Sequence, residues 1–243
     1  MKNVRVSTMR PLALAMVLAF PAAGASSLAQ AEVSGSVDVL SQYVLRGIVN
    51  APENENVAVQ AGLEYGHASG MYAGYWASNL GYGEDGAQGV ENNLYAGYAG
   101  EAGAFGYDLG VLYYAYLNAG DDVDAPEIYA SLSYGPFMLG AAYLADDVTW
   151  GNRGDIYWTL GYETALPGDF SLGALLGYYT YSDSGDFIPA TAESSAFRHF
   201  NLTLSRTLGT TGAEMSITGI LGGKDRDGVS QDNAVVLGLH YAF

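Results

Sequence analysis

The sequence predicts an all-β protein: a transmembrane, antiparallel, up-and-down β-barrel of about twelve strands. Three features favour this fold, namely alternating apolar and polar residues, connections that are short and long in turn, and an aromatic residue at the end of the chain. From Asn233 to Phe243, large apolar residues alternate with small or polar ones without a break. Successive side chains of a strand point to opposite faces, so this ending reads as one strand with an apolar face.

The beginning of the chain has the features of a secretory signal peptide. Three basic residues precede the apolar stretch Pro11–Phe20, and Ala29–Ala31 supplies a small-x-small cleavage site. The apolar stretch is too short for a membrane-spanning helix, which needs about 20 such residues. We therefore expect a signal peptide at residues 1–31 and an outer-membrane β-barrel at residues 32–243.

Composition excludes several classes of function. The formal net charge is −17, which argues against a nucleic-acid partner because such a partner requires a basic surface. The chain has no cysteine, so neither a disulfide framework nor a thiolate metal site is available. The fold must therefore be held by strand pairing and packing.

Alternating segments recur along the whole of the expected mature chain. The connection after each even-numbered segment is short. The connections after odd-numbered segments are longer and acidic, as at Gly120–Asp124 and Lys224–Asp227. Short turns on one side and long loops on the other are typical of outer-membrane barrels. The predicted strands are Val33–Arg46, Asn56–Tyr65, Met71–Asn79, Val90–Ala99, Phe105–Leu117, Glu127–Tyr134, Phe137–Ala145, Asp155–Glu163, Phe170–Tyr181, Phe197–Ser205, Ala213–Leu221 and Asn233–Phe243.

Tyrosines near the ends of the even-numbered segments provide an independent test. Each is in phase with the apolar face of its strand, and amphipathic rings prefer the membrane–water interface. A soluble β fold would also be rich in tyrosine but would not place these residues at one height. The row predicted to form the periplasmic girdle is Tyr65, Tyr98, Tyr134, Tyr162 and Tyr241.

The opposite, inward face is rich in acids and carries the candidate function. Barrels of eight strands are filled by side chains and those of sixteen hold a channel, so twelve strands predict a narrow, partly obstructed lumen. The alternative is a plugged structural barrel whose polar interior is a hydrogen-bond network. Thr159, Asn201 and Ser216 share the inward phase. The predicted pore-lining residues are Asp38, Gln42, Arg46, Gln60, Glu64, Glu91, Asn93, Asp108, Glu127, Asp155, Glu163, Glu214 and His240.

Several blocks of this sequence resemble a known family. The opening blocks Ser34–Val37 and Ser41–Ile48, and the later blocks Ala58–Gly62 and Gly70–Asn79, are similar to motifs of the proteobacterial TorF-type porin family, also called Gcw-chp. The similarity covers essentially the whole expected mature chain. It implies an outer-membrane barrel that acts as a porin, without implying a substrate. Gln42 and Leu45 depart from the acidic and aromatic residues expected there.

The end of the last strand also resembles the signal by which outer-membrane barrels are recognised for assembly. Gly238, Tyr241 and Phe243 carry this resemblance. The expected partners are therefore outer-membrane lipid and lipopolysaccharide, the barrel-assembly machinery, and small solutes or cations that pass through the lumen.

An enzyme is not expected, because His67, His199 and His240 have no serine at an obvious partnering position on the lipid side. No cofactor or metal is expected, since the acidic loops lack the spacing of a dedicated Ca²⁺ loop. The sequence thus predicts passive diffusion of small solutes or ions with a preference for cations. The alternative is a non-conducting receptor or structural barrel that uses its acidic surface loops.

Overall fold

The structure, a computed structural model, describes residues 32–48, 56–81 and 88–243; the expected signal peptide lies outside them. No helix within these ranges is long and apolar enough to cross a membrane. Twelve strands form the fold. They are β1 (Glu32–Leu40), β2 (Ala58–Gly66), β3 (Met71–Asn79), β4 (Val90–Ala102), β5 (Phe105–Leu117), β6 (Ala125–Tyr134), β7 (Phe137–Leu144), β8 (Ile156–Leu166), β9 (Phe170–Thr180), β10 (Ser195–Thr207), β11 (Ala213–Gly222) and β12 (Ala234–Ala242).

The strands form one closed barrel. Each strand pairs antiparallel with its neighbours in sequence, and β1 pairs with β12 to close the sheet, with Asp38 opposite His240. Two further backbone bonds extend this seam: the Gly35 amide donates to the Phe243 carbonyl at 2.9 Å, and the Phe243 amide donates to the Gly35 carbonyl at 3.0 Å. Closure leaves no open sheet edge to face lipid. The predicted fold class is confirmed.

The connections alternate in length as the sequence predicts. Turns after even-numbered strands are short, and Gly135 and Pro136 alone join β6 to β7, with Gly135 at a φ of 55°. The start of β1 and the end of β12 lie on this short-turn side, which is the periplasmic side of an outer-membrane barrel. The short turns are 67–70, 103–104, 135–136, 167–169 and 208–212. The described parts of the long outer loops are 41–48 with 56–57, 80–81 with 88–89, 118–124, 145–155, 181–194 and 223–233.

The outer face of the barrel is apolar. Along β5, Leu109 and Val111 are more than half exposed, whereas the alternate residues Asp108 and Leu112 are buried. The girdle tyrosines Tyr65, Tyr98, Tyr134, Tyr162 and Tyr241 are also on the outer face, at 37–56% exposure. A closed barrel with such an exterior is stable only in a bilayer, and the molecule is therefore an outer-membrane β-barrel.

One predicted strand is wrong at its outer end. The first strand was expected to continue to Arg46, but β1 ends at Leu40. Arg46 and Gly47 have positive φ angles of 49° and 75°, and the residues on either side of them pair through an isolated bridge. The chain therefore makes a tight turn here, and this turn folds into the barrel instead of extending its wall.

Candidate pore lumen

The turn that follows β1, residues 41–48, lies inside the barrel, and we call it the inward segment. Tyr43 and Val44 are at most 6% exposed and pack with Leu40 and Leu80 in a buried cluster. Apolar anchoring of this kind holds a loop against the wall that surrounds it. The inward segment thereby brings Arg46 into the lumen, near the outer ends of β5, β6, β8 and β9.

The guanidinium group of Arg46 is bound by side chains of β5, β6, β8 and β9, which form one side of the barrel wall. Its two Nη atoms donate to the two carboxylate oxygens of Glu127, at 2.9 and 2.7 Å. The same atoms donate to the hydroxyls of Tyr179 at 2.8 Å and Tyr114 at 3.1 Å. The Arg46 Cζ lies 4.5 Å from the centre of the Tyr157 ring. A bidentate, stacked guanidinium has a well-defined geometry, so Arg46 is a fixed constriction.

The charge of Arg46 is also fixed. Burial by itself would lower the pKa of Arg46, but the nearby Glu127 carboxylate outweighs it and the pKa is raised well above its usual value. The backbone is held as well, because the Arg46 carbonyl accepts a bond from Arg198 Nε at 3.3 Å. Gly47 lies against the ring of His199, where a Cβ would collide with it. Arg46 therefore carries a permanent positive charge inside the lumen.

A second buried acid is bound by the inward segment. The Tyr43 hydroxyl donates to Glu91 Oε2 at 2.5 Å, and Asn93 Nδ2 donates to Glu91 Oε1 at 2.8 Å. Burial and the charge of Glu91 raise the pKa of Tyr43 well above its usual value, so its hydroxyl remains a donor. Glu91, Asn93 and Glu127 thus lie in the lumen as the sequence predicts, but they hold the inward segment in place.

A third acid, Asp155, binds the outer loops together. It forms an ion pair with Arg226, which belongs to the last outer loop. Its two oxygens also accept bonds from the amides of Ser182 at 2.8 Å and Asn152 at 3.0 Å. Asp155 therefore connects three outer loops above Arg46.

Sequence reasoning missed two arginines of the lumen. The register of β10 shifts between Phe197 and His199, so that Arg198 and His199 both face inward, at 3% and 1% exposure. Strict alternation cannot place two consecutive residues on one face, and a β-bulge gives no clear signal in a single sequence. Arg226 lies in a loop, outside any strand pattern. Arg226 pairs with Asp155, an acid that the sequence appeared to leave unpaired, whereas Arg198 donates to the carbonyls of Arg46 and Lys224.

The half of the lumen nearer the short turns has a different charge pattern, and we call it the lower lumen. His240 Nδ1 lies 2.6 Å from Asp38 Oδ1. Other acids accept bonds from tyrosines: Tyr72 donates to Asp108 at 2.6 Å and Tyr95 to Glu64 at 3.2 Å. In the described part of the chain, no lysine or arginine forms an ion pair with these acids. The carboxylates of the lower lumen are Asp38, Glu64, Asp108, Glu163 and Glu214.

The comparison with protein families gives one match over most of the chain. The family described as "Bacterial protein of unknown function (Gcw_chp)" matches residues 22–234. The chain belongs to the Gcw_chp family. The resemblance noted in the opening blocks of the sequence is thereby confirmed. A comparison with curated proteins finds no match.

Solved structures with a similar fold include outer-membrane channels. A KdgM porin matches with a TM-score of 0.57 and 11% identity, over 86% of this chain and 99% of that one. A KdgM porin in complex with disordered oligogalacturonate matches at 0.52 and 10%, over 87% and 98%. The COG4313 outer membrane channel from Pseudomonas putida F1 matches at 0.54 and 13%, over 90% and 96%. At these identities, the similarity establishes the barrel fold that this Gcw_chp protein shares with them.

The other predicted lining residues of this Gcw_chp protein also face inward or lie on the inward segment. Gln60 is buried and donates to Ser78 at 3.3 Å, and Gln42 is half-buried on the inward segment. Thr159 and Asn201 are buried, and Ser216 is half-buried.

The residues of the predicted assembly signal occupy both faces of β12. A Cβ at Gly238 would lie 2.5 Å from the Ser216 hydroxyl inside the barrel. Tyr241 and Phe243 stack on the outer face, with ring centres 5.9 Å apart. Their role in recognition stays a prediction.

A cavity of about 440 Å³ lies on the outer side of Arg46 in this Gcw_chp barrel. Arg46 and Glu127 lie at its inner end, and residues of the outer loops line its mouth. Several aromatic rings line it, namely Tyr43, Tyr114, Tyr116, Trp150, Tyr179 and Tyr181. The lumen thus has an aromatic outer cavity, a constriction at Arg46 and an acidic lower half.

Proposed function

We propose that this protein gives passive diffusion to small solutes and ions across the outer membrane, with a preference for cations. The observation that carries the proposal is the uneven charge of the lumen. Around the constriction, Arg46, Arg198 and Arg226 offset Glu91, Glu127 and Asp155, whereas the five acids of the lower lumen face a single base, His240. Carboxylates in a low-dielectric wall concentrate cations and repel anions.

The exposure of the lower lumen supports access by water. Glu64, Glu163 and Glu214 are half-buried, whereas Asp38 and Asp108, like Glu91 and Glu127, are at most 4% exposed. Half-exposed carboxylates inside a barrel are hydrated, and hydrated ions can approach them. The constriction at Arg46 then limits the size of the solute, and the carboxylates of the lower lumen select solutes by charge.

The oligogalacturonate of the similar KdgM porin complex is not a good guide to the solute of this protein. Oligogalacturonate is a polyanion, and the lower lumen here is lined by carboxylates, which would repel it. The charge of the lower lumen favours small cations and neutral solutes instead.

A non-conducting receptor barrel is the second candidate function. The contacts of Arg46 and Tyr43 with Glu127 and Glu91 fill part of the lumen, and this favours a closed barrel. We do not propose an enzyme, because His199 and His240 lie on the inner face and His199 bonds to Tyr157 and Asn201. Chemistry on membrane lipid requires groups that the lipid can reach.

We also propose the expected processing and assembly route. The first 31 residues would be removed on export, the barrel-assembly machinery would recognise the last strand, and lipopolysaccharide would contact the outer apolar belt. These proposals rest on the sequence features described above and on the exposed belt of the barrel.

Conductance of the purified full chain in planar bilayers tests the proposed function. We expect discrete channels and, across a KCl gradient, a reversal potential of the sign given by K⁺ permeation. The matched control is Asp121→Asn, which removes an acid from an exposed outer loop and should leave the reversal potential unchanged. Folded protein that inserts but carries no current would support the receptor barrel instead.

A further inference from the structure

We propose that the outer cavity binds the ring of a small neutral sugar, a mono- or disaccharide. The inference rests on the proposed function, since it names the class of solute that would enter the pore from outside. It is argued from the aromatic rings of the cavity, from the pairing of its charges and from its size.

Two pairs of tyrosines rise from the constriction towards the mouth. Tyr114 and Tyr116 on β5 have ring planes within 2° of parallel and centres 6.2 Å apart. Tyr179 and Tyr181, at the outer end of β9, lie within 6° of parallel at 5.0 Å. Residues two apart along a strand share a face, so each pair lines the lumen. Tyr114 is buried, and the partly exposed rings are Tyr116, Tyr179 and Tyr181. Tyr114 and Tyr179 both contact Arg46 at the inner end.

Trp150 completes the aromatic lining at the mouth. Its ring meets Tyr114 edge-on, with centres 5.9 Å apart and planes at 76°. Its Nε1 donates to the Val123 carbonyl at 2.8 Å, which fixes the orientation of the indole. Trp150 is still 36% exposed, so part of its ring is available to a ligand. A ring held in place before binding loses little conformational entropy on contact.

A sugar matches both kinds of group that line this cavity. Its C–H face is apolar and slightly positive, so it stacks on the negative face of an aromatic ring. Its hydroxyls need donors and acceptors at the ring edge, and the cavity offers tyrosine hydroxyls, guanidinium groups and carboxylates.

The ion pairs of the cavity favour a ligand without charge. Arg46 pairs with Glu127 and Arg226 pairs with Asp155, so a charged ligand would have to compete with an existing buried pair. Organic cations are also disfavoured at the tyrosine faces. Guanidinium carbons already lie 5.9 Å from the Tyr179 ring centre and 5.0 Å from that of Tyr181. A second cation there would meet a like charge.

The size of the cavity agrees with one or two sugar rings. Its volume of about 440 Å³ falls in the range of roughly 300–1,000 Å³ found for small-molecule sites. The constriction at Arg46 closes its inner end, so a sugar would pause here before it passes further.

The intrinsic fluorescence of Trp150 gives a direct binding assay. The chain has three tryptophans, so Trp76→Phe and Trp158→Phe together leave Trp150 as the single reporter. In folded protein in detergent micelles, we expect maltose to give a saturable change in emission. Tyr116→Ala in this background should weaken maltose binding by roughly 2- to 10-fold, the range of one aromatic contact. Tyr113→Ala, on the lipid face of the same strand, should leave the affinity unchanged.

Glucuronate and choline serve as competing probes in the same assay. The inference is overturned if either binds more tightly than maltose, or if maltose causes no saturable change in protein that is shown to be folded by its heat-modifiable mobility. Equal weakening by Tyr113→Ala and Tyr116→Ala would also overturn it. Channels that conduct but do not bind maltose would refute the sugar site alone, whereas maltose binding without conductance would refute the pore and retain the site.

Discussion

Single residues determine whether the lumen is narrow, and Arg46 is the central one. Its side chain connects the inward segment to Glu127, Tyr114 and Tyr179 on three strands or strand ends of the wall. Arg46→Ala should raise single-channel conductance, because it removes the constricting side chain and one anchor of the inward segment. It should also increase the preference for cations, since Glu127 loses its partner.

The control for that experiment is a second arginine in the same barrel. Arg206 lies on the outer face near the short turns, with its guanidinium carbon 5.1 Å from the Phe170 ring centre. Arg206→Ala should leave conductance and selectivity unchanged. Equal conductance of Arg46→Ala and the unaltered protein in planar bilayers would contradict the constriction.

The partner of Arg46 gives a prediction about stability. Glu127→Ala leaves a buried guanidinium without its carboxylate, and such a loss costs about 3–5 kcal/mol. The double variant that also carries Arg46→Ala removes both charges and should recover part of that loss. The measurement is urea unfolding of the barrel in lipid vesicles, followed by tryptophan fluorescence. A double variant less stable than Glu127→Ala would contradict the coupling.

At the scale of elements, the sequence predicts the barrel wall well and the inward segment poorly. The alternation that identifies strands depends on side chains that face lipid or lumen, and the register of β10 departs from it between Phe197 and His199. It fails after Leu40 because the consecutive residues Tyr43 and Val44, which alternation assigns to opposite faces, both pack inside the lumen. The positive φ of Arg46 is rare for a non-glycine residue and cannot be foreseen from the pattern.

The seam between β1 and β12 carries the prediction about assembly. Removing Tyr241 to Phe243 deletes the last rung of the closing strand and should leave an unassembled periplasmic species. A gentler variant is Gly35→Ile, because a Cβ at Gly35 would lie 2.6 Å from Cζ of Phe243. Heat-modifiable protein in outer-membrane fractions measures assembly, and Val33→Ile is the matched control on the same face of β1. Normal levels after the deletion would refute the closure argument.

For the whole molecule, the inward face is predictable but its charge balance is not. Alternation places Asp38, Glu64 and Glu127 in the lumen, where the structure also has them. Glu127 pairs with Arg46, and Asp155 pairs with Arg226. Both arginines come from outer loops, whose positions cannot be predicted from alternation. The sequence therefore predicts too many unpaired carboxylates around the constriction. In the lower lumen, the carboxylates give the negative charge that the sequence predicts.

Selectivity follows from this distribution and gives the last prediction. Glu64→Gln, Glu163→Gln and Glu214→Gln together remove three carboxylates of the lower lumen, and should shift the reversal potential in a KCl gradient towards zero. Lowering the pH towards about 4 should have the same effect as carboxyl groups protonate. High salt should weaken the preference as well, because the Debye length falls to about 3 Å at 1 M. Anion preference at neutral pH and moderate salt would refute the assignment of selectivity to these acids.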